Sequence, residues 1–137
     1  MTETIADRCA AQGLRMTEQR RTIAGVLEES SDHPDVEELH ARAVALDPNI
    51  SIATVYRTVK LFEENGIIDR LDFGDGRARY EDAEREHHDH LIDLSTGEVI
   101  EFVDPEIEKL QERIAEKLGY RLKGHRMELY GLPLKKR

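Results

Sequence analysis

Residues 50–68 read ISIATVYRTVKLFEENGII, and this stretch decides the fold of the first half of the chain. Its spacing predicts a helix that starts at Ser51 and stops before Gly66. At about 100° per residue Ile52, Val55, Val59 and Phe62 fall on one side, which sets Ala53, Arg57 and Lys60 on the opposite side with Tyr56 on the flank. The outer side offers a guanidinium suited to guanine or phosphate, an aromatic and a small apolar group suited to thymine methyls, and no acid before Glu63.

Three more helices are expected upstream. The first ends at Gly13, and the second runs from near Thr17 to about Glu29 with Ile23, Val26 and Leu27 as its buried stripe. The third opens with a capping box, Asp35 to Glu38, followed by Val36, Leu39, Ala43 and Leu46 at helical spacing. Downstream, Ile67 to Phe73 is strand-like, Gly74-Asp75-Gly76 signals a turn, and Arg77 to Glu81 returns as a second strand. Helices closed by a hairpin give the order of a winged helix-turn-helix, whose last helix enters the major groove. Amphipathic helices and a hairpin also suit many folds that never meet DNA.

The second half is organised differently. The run His87-His88-Asp89-His90 holds three of the chain's six histidines. In a strand, His88 and His90 point one way and His87 and Asp89 the other, so one short segment can seed two metal sites. Imidazole with carboxylate suits iron, manganese or zinc rather than a thiolate-bound metal. Strands are expected over His87 to Leu94 and Glu98 to Val103, joined at Ser95-Thr96-Gly97. Asp104-Pro105 then opens a helix with Ile107, Leu110, Ile114 and Leu118 as its buried stripe and Gly119 as its stop. A last strand is expected over Tyr120 to Tyr130, before the basic tail Lys135-Lys136-Arg137. This α+β unit has open strand edges and a small core, which dimerisation would complete.

A chain of 137 residues holds one ordinary domain or two small ones that lean on a metal or a partner subunit. No stretch reads as a signal peptide or as the run of about 20 apolar residues that spans a bilayer, so a cytoplasmic protein is expected. The single Cys9 excludes an internal disulfide framework and a CxxC metal knuckle. A net charge of −9 argues at first against nucleic acid, but its distribution argues back. Arg8, Arg15, Arg20 and Arg21 face only Glu18 between residues 8 and 27, and Arg57 and Lys60 face no acid between 51 and 62. Glu28, Glu29, Asp32, Asp35, Glu37, Glu38 and Asp47 lie between these basic segments. One face of a compact reader could then meet phosphate.

Taken together, ISIATVYRTVKLFEENGII, the upstream HPDVEELH at 33–40, HHDHL at 87–91 and HRMELYG at 125–131 resemble the ferric uptake regulator family over nearly the whole chain. The resemblance implies a winged-helix DNA-binding domain over residues 1–83, a hinge near 83, and an α/β dimerisation and metal-binding domain over 84–137. It implies metal-activated repression through an AT-rich palindromic operator, by a homodimer without a membrane role. The regulatory metal site it implies is His33, Glu81, His88, His90 and Glu101, and the residues agree in that Glu101 interrupts the apolar strand Val99 to Val103. The second implied site is His87, Asp89, Glu108 and His125. The DNA-binding set is Arg15, Arg20, Ser51, Thr54, Tyr56 and Arg57, with Arg15 expected in the minor groove. His40 matches neither metal site and reads as an ordinary surface helix residue.

One departure matters: where many family members hold a structural zinc with cysteine pairs, this chain has Asp93 and Thr96, and the C-terminal pair is missing. A cysteine-bound zinc is therefore excluded by chemistry. The Glu81 and Glu101 pair resembles the iron- and manganese-sensing members, so Fe(II) is the first expectation, Mn(II) the second, and Zn(II) a substitute in vitro. A metal-dependent hydrolase would need an open coordination position and a separate general base, which the sequence does not supply. A metal buffer would need no DNA face.

Overall fold

The computed structural model describes residues 3–84 and 88–135. The chain divides into two units, Met1–Arg85 and Glu86–Arg137. The first runs α1 (Ile5–Ala11), α2 (Glu18–Glu29), α3 (Val36–Leu46), α4 (Ile52–Glu64), then the hairpin β1 (Ile68–Asp72) and β2 (Ala78–Asp82). The second runs β3 (Asp89–Asp93), β4 (Val99–Phe102), α5 (Pro105–Lys117) and β5 (Glu128–Gly131).

In the first unit each helix starts where its side chains can satisfy the free N–H groups of the first turn. Thr17, Asp35 and Ser51 cap α2, α3 and α4, and the Asp35 box is reciprocal: Glu38 N–H donates to Asp35 at 2.8 Å and Asp35 N–H donates to Glu38 at 3.2 Å. Gly66, at φ 71°, stops α4, with its N–H on the Glu63 carbonyl and that of Ile67 on Phe62. The next residue thereby enters β1, which pairs antiparallel with β2 in register Arg70 to Tyr80. Ile5, Ile23, Leu27, Leu39, Val55 and Phe62 are among the side chains that close one core beneath these elements.

Ile52 does not join that core, contrary to the helical projection. It is 47% exposed, whereas Ile50 is 2% exposed. Ile50 immediately precedes the Ser51 cap and Val55 is the fourth helical residue, the two positions that pack as a hydrophobic staple. With Ile50 in the core, the buried stripe begins one turn later and runs through Val55, Thr58, Val59 and Phe62.

The second unit carries a three-stranded sheet in the order β4-β3-β5, with β3 antiparallel to β4 and parallel to β5. The last strand is far shorter than expected, since only Glu128–Gly131 pairs as strand, after His90 N–H reaches the Met127 carbonyl. The expected burial of the α5 stripe is also not what is found. Leu110, Ile114 and Leu118 are 51%, 49% and 70% exposed. Among the described residues α5 makes no extensive packing against the three strands, so nothing within the unit covers its stripe.

Candidate functional site

The outward side of α4 is built by a row of hydrogen bonds. The Ser51 hydroxyl caps Thr54 N–H at 3.1 Å and bonds the Thr54 hydroxyl at 3.0 Å, and an Arg57 guanidinium N–H donates to that same Thr54 oxygen at 3.2 Å. Arg57 is therefore held along the helix rather than adrift in solvent, and Tyr56 beside it is 62% exposed. Arg15 is exposed, and Arg20 braces the segment that carries it by donating to the Arg15 carbonyl at 2.6 Å. The structure thus brings Ser51, Thr54 and Arg57 together as one polar row, and Arg15 and Arg20 as another pair.

His40, read from sequence as a plain surface residue, has a structural task. Its Nε2 lies 3.0 Å from the Ile50 carbonyl, which ties α3 to the segment leading into α4. The Nε2 carries the hydrogen in that bond, since a carbonyl only accepts. A histidine in a helix facing a loop ten residues away leaves no periodic signature, so the sequence offered no signal for it.

His33 sits in the loop before α3 and Glu81 on β2, with Nε2 and Oε2 3.4 Å apart and both side chains nearly buried. The loop is fastened on each side. Arg42 grips Asp32 with two bonds of 2.9 and 2.7 Å and bonds Ser30 at 2.9 Å. Tyr80 N–H donates to the Pro34 carbonyl at 2.9 Å, and Arg77 donates to Asp35 at 2.7 Å. Burial pushes the Asp35 carboxyl up, but the Glu38 N–H and Arg77 together hold it below the usual carboxylate range. His33 packs edge-on against Phe73 at 6.0 Å. This loop has little freedom left, which preorganises His33 beside Glu81.

In the second unit His90 faces Glu101 across the β3–β4 ladder. His88 precedes the strand, with its Nε2 3.2 Å from Glu101 and its ring 4.7 Å from that of His90. His88, His90 and Glu101 each offer one ligand atom, and these atoms all lie within 4.8 Å of one another. Two imidazoles and a carboxylate converging in this way fit a divalent cation of borderline hardness. On the other side of β3, Asp89 is 1% exposed and accepts from His125 at 3.0 Å. Glu108 and His125 line a common cleft of about 290 Å³ with Gln111, Glu112 and Lys123. His87 lies outside the described residues. Cys9, the single cysteine, is buried in the core of the first unit.

A winged helix presenting a polar row with one guanidinium, joined to a unit whose strands gather imidazoles and carboxylates, defines a class: regulators that bind DNA under the control of a metal. The sequence model of the ferric uptake regulator family matches residues 11–130. A ferric uptake regulation protein from Rhizobium leguminosarum bv. viciae is 66% identical over 134 residues, covering 98% of this chain and 94% of the relative. Among solved structures, a zinc-bound manganese uptake regulator is 65% identical at a TM-score of 0.82, covering 96% of this chain and 100% of the other. A ferric uptake regulator from Pseudomonas aeruginosa, solved with manganese, is 33% identical at a TM-score of 0.85, covering 97% and 100%.

The chain belongs to the ferric uptake regulator family, and it is a metal-dependent transcriptional regulator. Family members are transcriptional regulators. No helix among the described residues is long and apolar enough to cross a membrane.

Proposed function

We propose that this chain is a cytoplasmic, homodimeric repressor whose affinity for double-stranded operator DNA is raised by one divalent metal held jointly by His33, Glu81, His88, His90 and Glu101. The observation that carries the reading is the convergence of His90 on β3 and Glu101 on β4 with His88, which immediately precedes β3. Fe(II) and Mn(II) take roughly six donors, more than the His33 and Glu81 pair or the second unit's trio offers alone. A metal that needs both sets restrains the two units against each other, and a restraint that favours the DNA-competent arrangement raises affinity. Asp89, Glu108 and His125, joined by His87 as the sequence implies, serve as a second metal site that supports the stability of the second unit. Arg57, Tyr56, Thr54 and Ser51 read base edges of an AT-rich palindrome, while Arg15 and Arg20 hold the adjoining backbone and minor groove.

Two effectors have specific support. A relative named for manganese uptake stands at 65% identity, and one named for ferric uptake at 66%. The donor set suits both ions, with zinc able to occupy it in vitro. The test is an anaerobic mobility shift on a duplex enriched from a randomised pool, run with Mn(II), Fe(II), Zn(II) or chelator. Mn(II) or Fe(II) should tighten binding by about tenfold or more, and His90→Ala should abolish that gain while leaving a folded dimer. Equal affinity with metal and with chelator overturns the reading.

A further inference from the structure

Ile52 is an apolar side chain that the core does not use. It occupies the first helical position of α4 and is 47% exposed, although Ile50 shows that a core position was within reach of this segment. One turn on, Tyr56 is 62% exposed. Residues four apart lie about 40° from each other around a helix, so Ile52 and Tyr56 form a short apolar ridge. That ridge leads through Tyr56 to the outward side of Ala53, Lys60 and Arg57, and the hydrogen-bonded row Ser51, Thr54 and Arg57 lies on the far edge of that side. Scattered exposed apolar residues are ordinary, but these two are neighbours four residues apart, and they border the outward face at the N-terminal end of the helix.

We propose that Ile52 is a specificity-determining residue that packs on a thymine C5-methyl in the major groove. The proposal rests on the DNA-reading role of α4 put forward above. The N-terminal residues of a recognition helix are the ones that reach base edges, and the thymine methyl is the apolar group the major groove displays. A cytosine at the same place has no C5-methyl, so the apolar contact that Ile52 makes with thymine is lost there. Being β-branched, its χ1 is nearly fixed in a helix, and little side-chain freedom is lost on contact.

The test uses the duplex enriched from a randomised pool by the Mn(II)-loaded protein, remade with single thymines replaced by uracil, which removes the methyl and nothing else. At one position in each half-site the wild type should lose roughly fourfold in affinity per methyl. Ile52→Ala should bind the parent duplex more weakly by a similar factor and no longer distinguish thymine from uracil there, whereas Arg57→Ala should keep that discrimination. Its melting temperature should be unchanged, because Ile52 is exposed and alanine favours the helix. An Ile52→Ala protein as sensitive to every uracil as the wild type overturns the proposal and leaves the function of α4 intact. A pool that yields no enriched duplex overturns the DNA-reading role itself, a separable result.

Discussion

The two units solve the problem of small size in opposite ways. The first closes a core from all of its helices and its hairpin, and it buries Phe62, Ile5, Ile23 and Leu39 almost completely. In the second, Ile92 is the one buried apolar side chain among the described residues, and the others most hidden are Asp89 and His90. Its apolar groups instead face outward from α5, β4 and β5. An interior of imidazole and carboxylate is costly unless its charges are paired or bound, and an exterior of Leu and Ile is costly unless it is covered. The contrast teaches that the first unit is complete by itself, whereas the second, on the function proposed above, defers its stability to a cation inside and a second chain outside.

The largest effect should come from breaking the cover. Burying an isoleucine is worth about 2 kcal/mol, and an unpaired carboxylate in its place costs more again. Ile114→Asp should therefore raise the dimer dissociation constant by about a hundredfold or more, read by sedimentation across a concentration series. The first unit's helical signal should be unaffected, since its core contains nothing from α5. Unchanged sedimentation would mean that the exposed face of α5 is not what joins two chains.

A smaller effect should come from the polar interior. Losing a hydrogen bond to a charged partner costs about 1.5–3 kcal/mol, and Asp89 is 1% exposed where His125 meets it. His125→Ala should lower the melting temperature of the second unit while retaining most of the metal-stimulated DNA binding that His90→Ala loses. If His125→Ala loses stimulation as fully as His90→Ala with its melting temperature intact, the two sets of ligands act as one switch.

How much of this was legible in the sequence differs between the units for the same physical reason. Local signals are strong in the first: capping at Thr17, Asp35 and Ser51, the glycine stop after α4, and helical spacing of residues that pack within their own unit. Ile52 was misplaced because periodicity assigns a face but does not know that Ile50, just before the cap, is the residue that enters the core at this end of the helix. In the second unit periodicity marked Leu110, Ile114 and Leu118 correctly as an apolar stripe and misled about burial, since a stripe records what a residue avoids and not what covers it. The alternation in His88, Asp89 and His90 was readable because a strand's period is two. The His40 bond to Ile50 was not, because it is a single contact with no repeat.

The smallest effect should appear in acid and should sharpen the contrast by falling on the first unit. At the tip of the hairpin the Arg79 guanidinium bonds Asp75 at 2.5 Å, with Arg77 adding a 3.3 Å contact, and Arg79 also lies 5.5 Å from the Phe73 ring centre. The Arg79 bond is the main reason the Asp75 carboxyl is held down from 3.8 to about 2. A carboxyl depressed in the folded state adds stability that is fully present above its unfolded value, and that is lost as pH falls from about 4 towards 2. The carboxylate is 35% exposed, so solvent screening limits the contribution to about 1 kcal/mol or less. Asp75→Asn should lower the urea midpoint of the first unit slightly at pH 7, and the two proteins should converge as pH approaches 2. A difference that stays constant across that window would show that the tip is held by shape and not by charge, and the first unit would then owe its wing, as it owes its core, to packing alone.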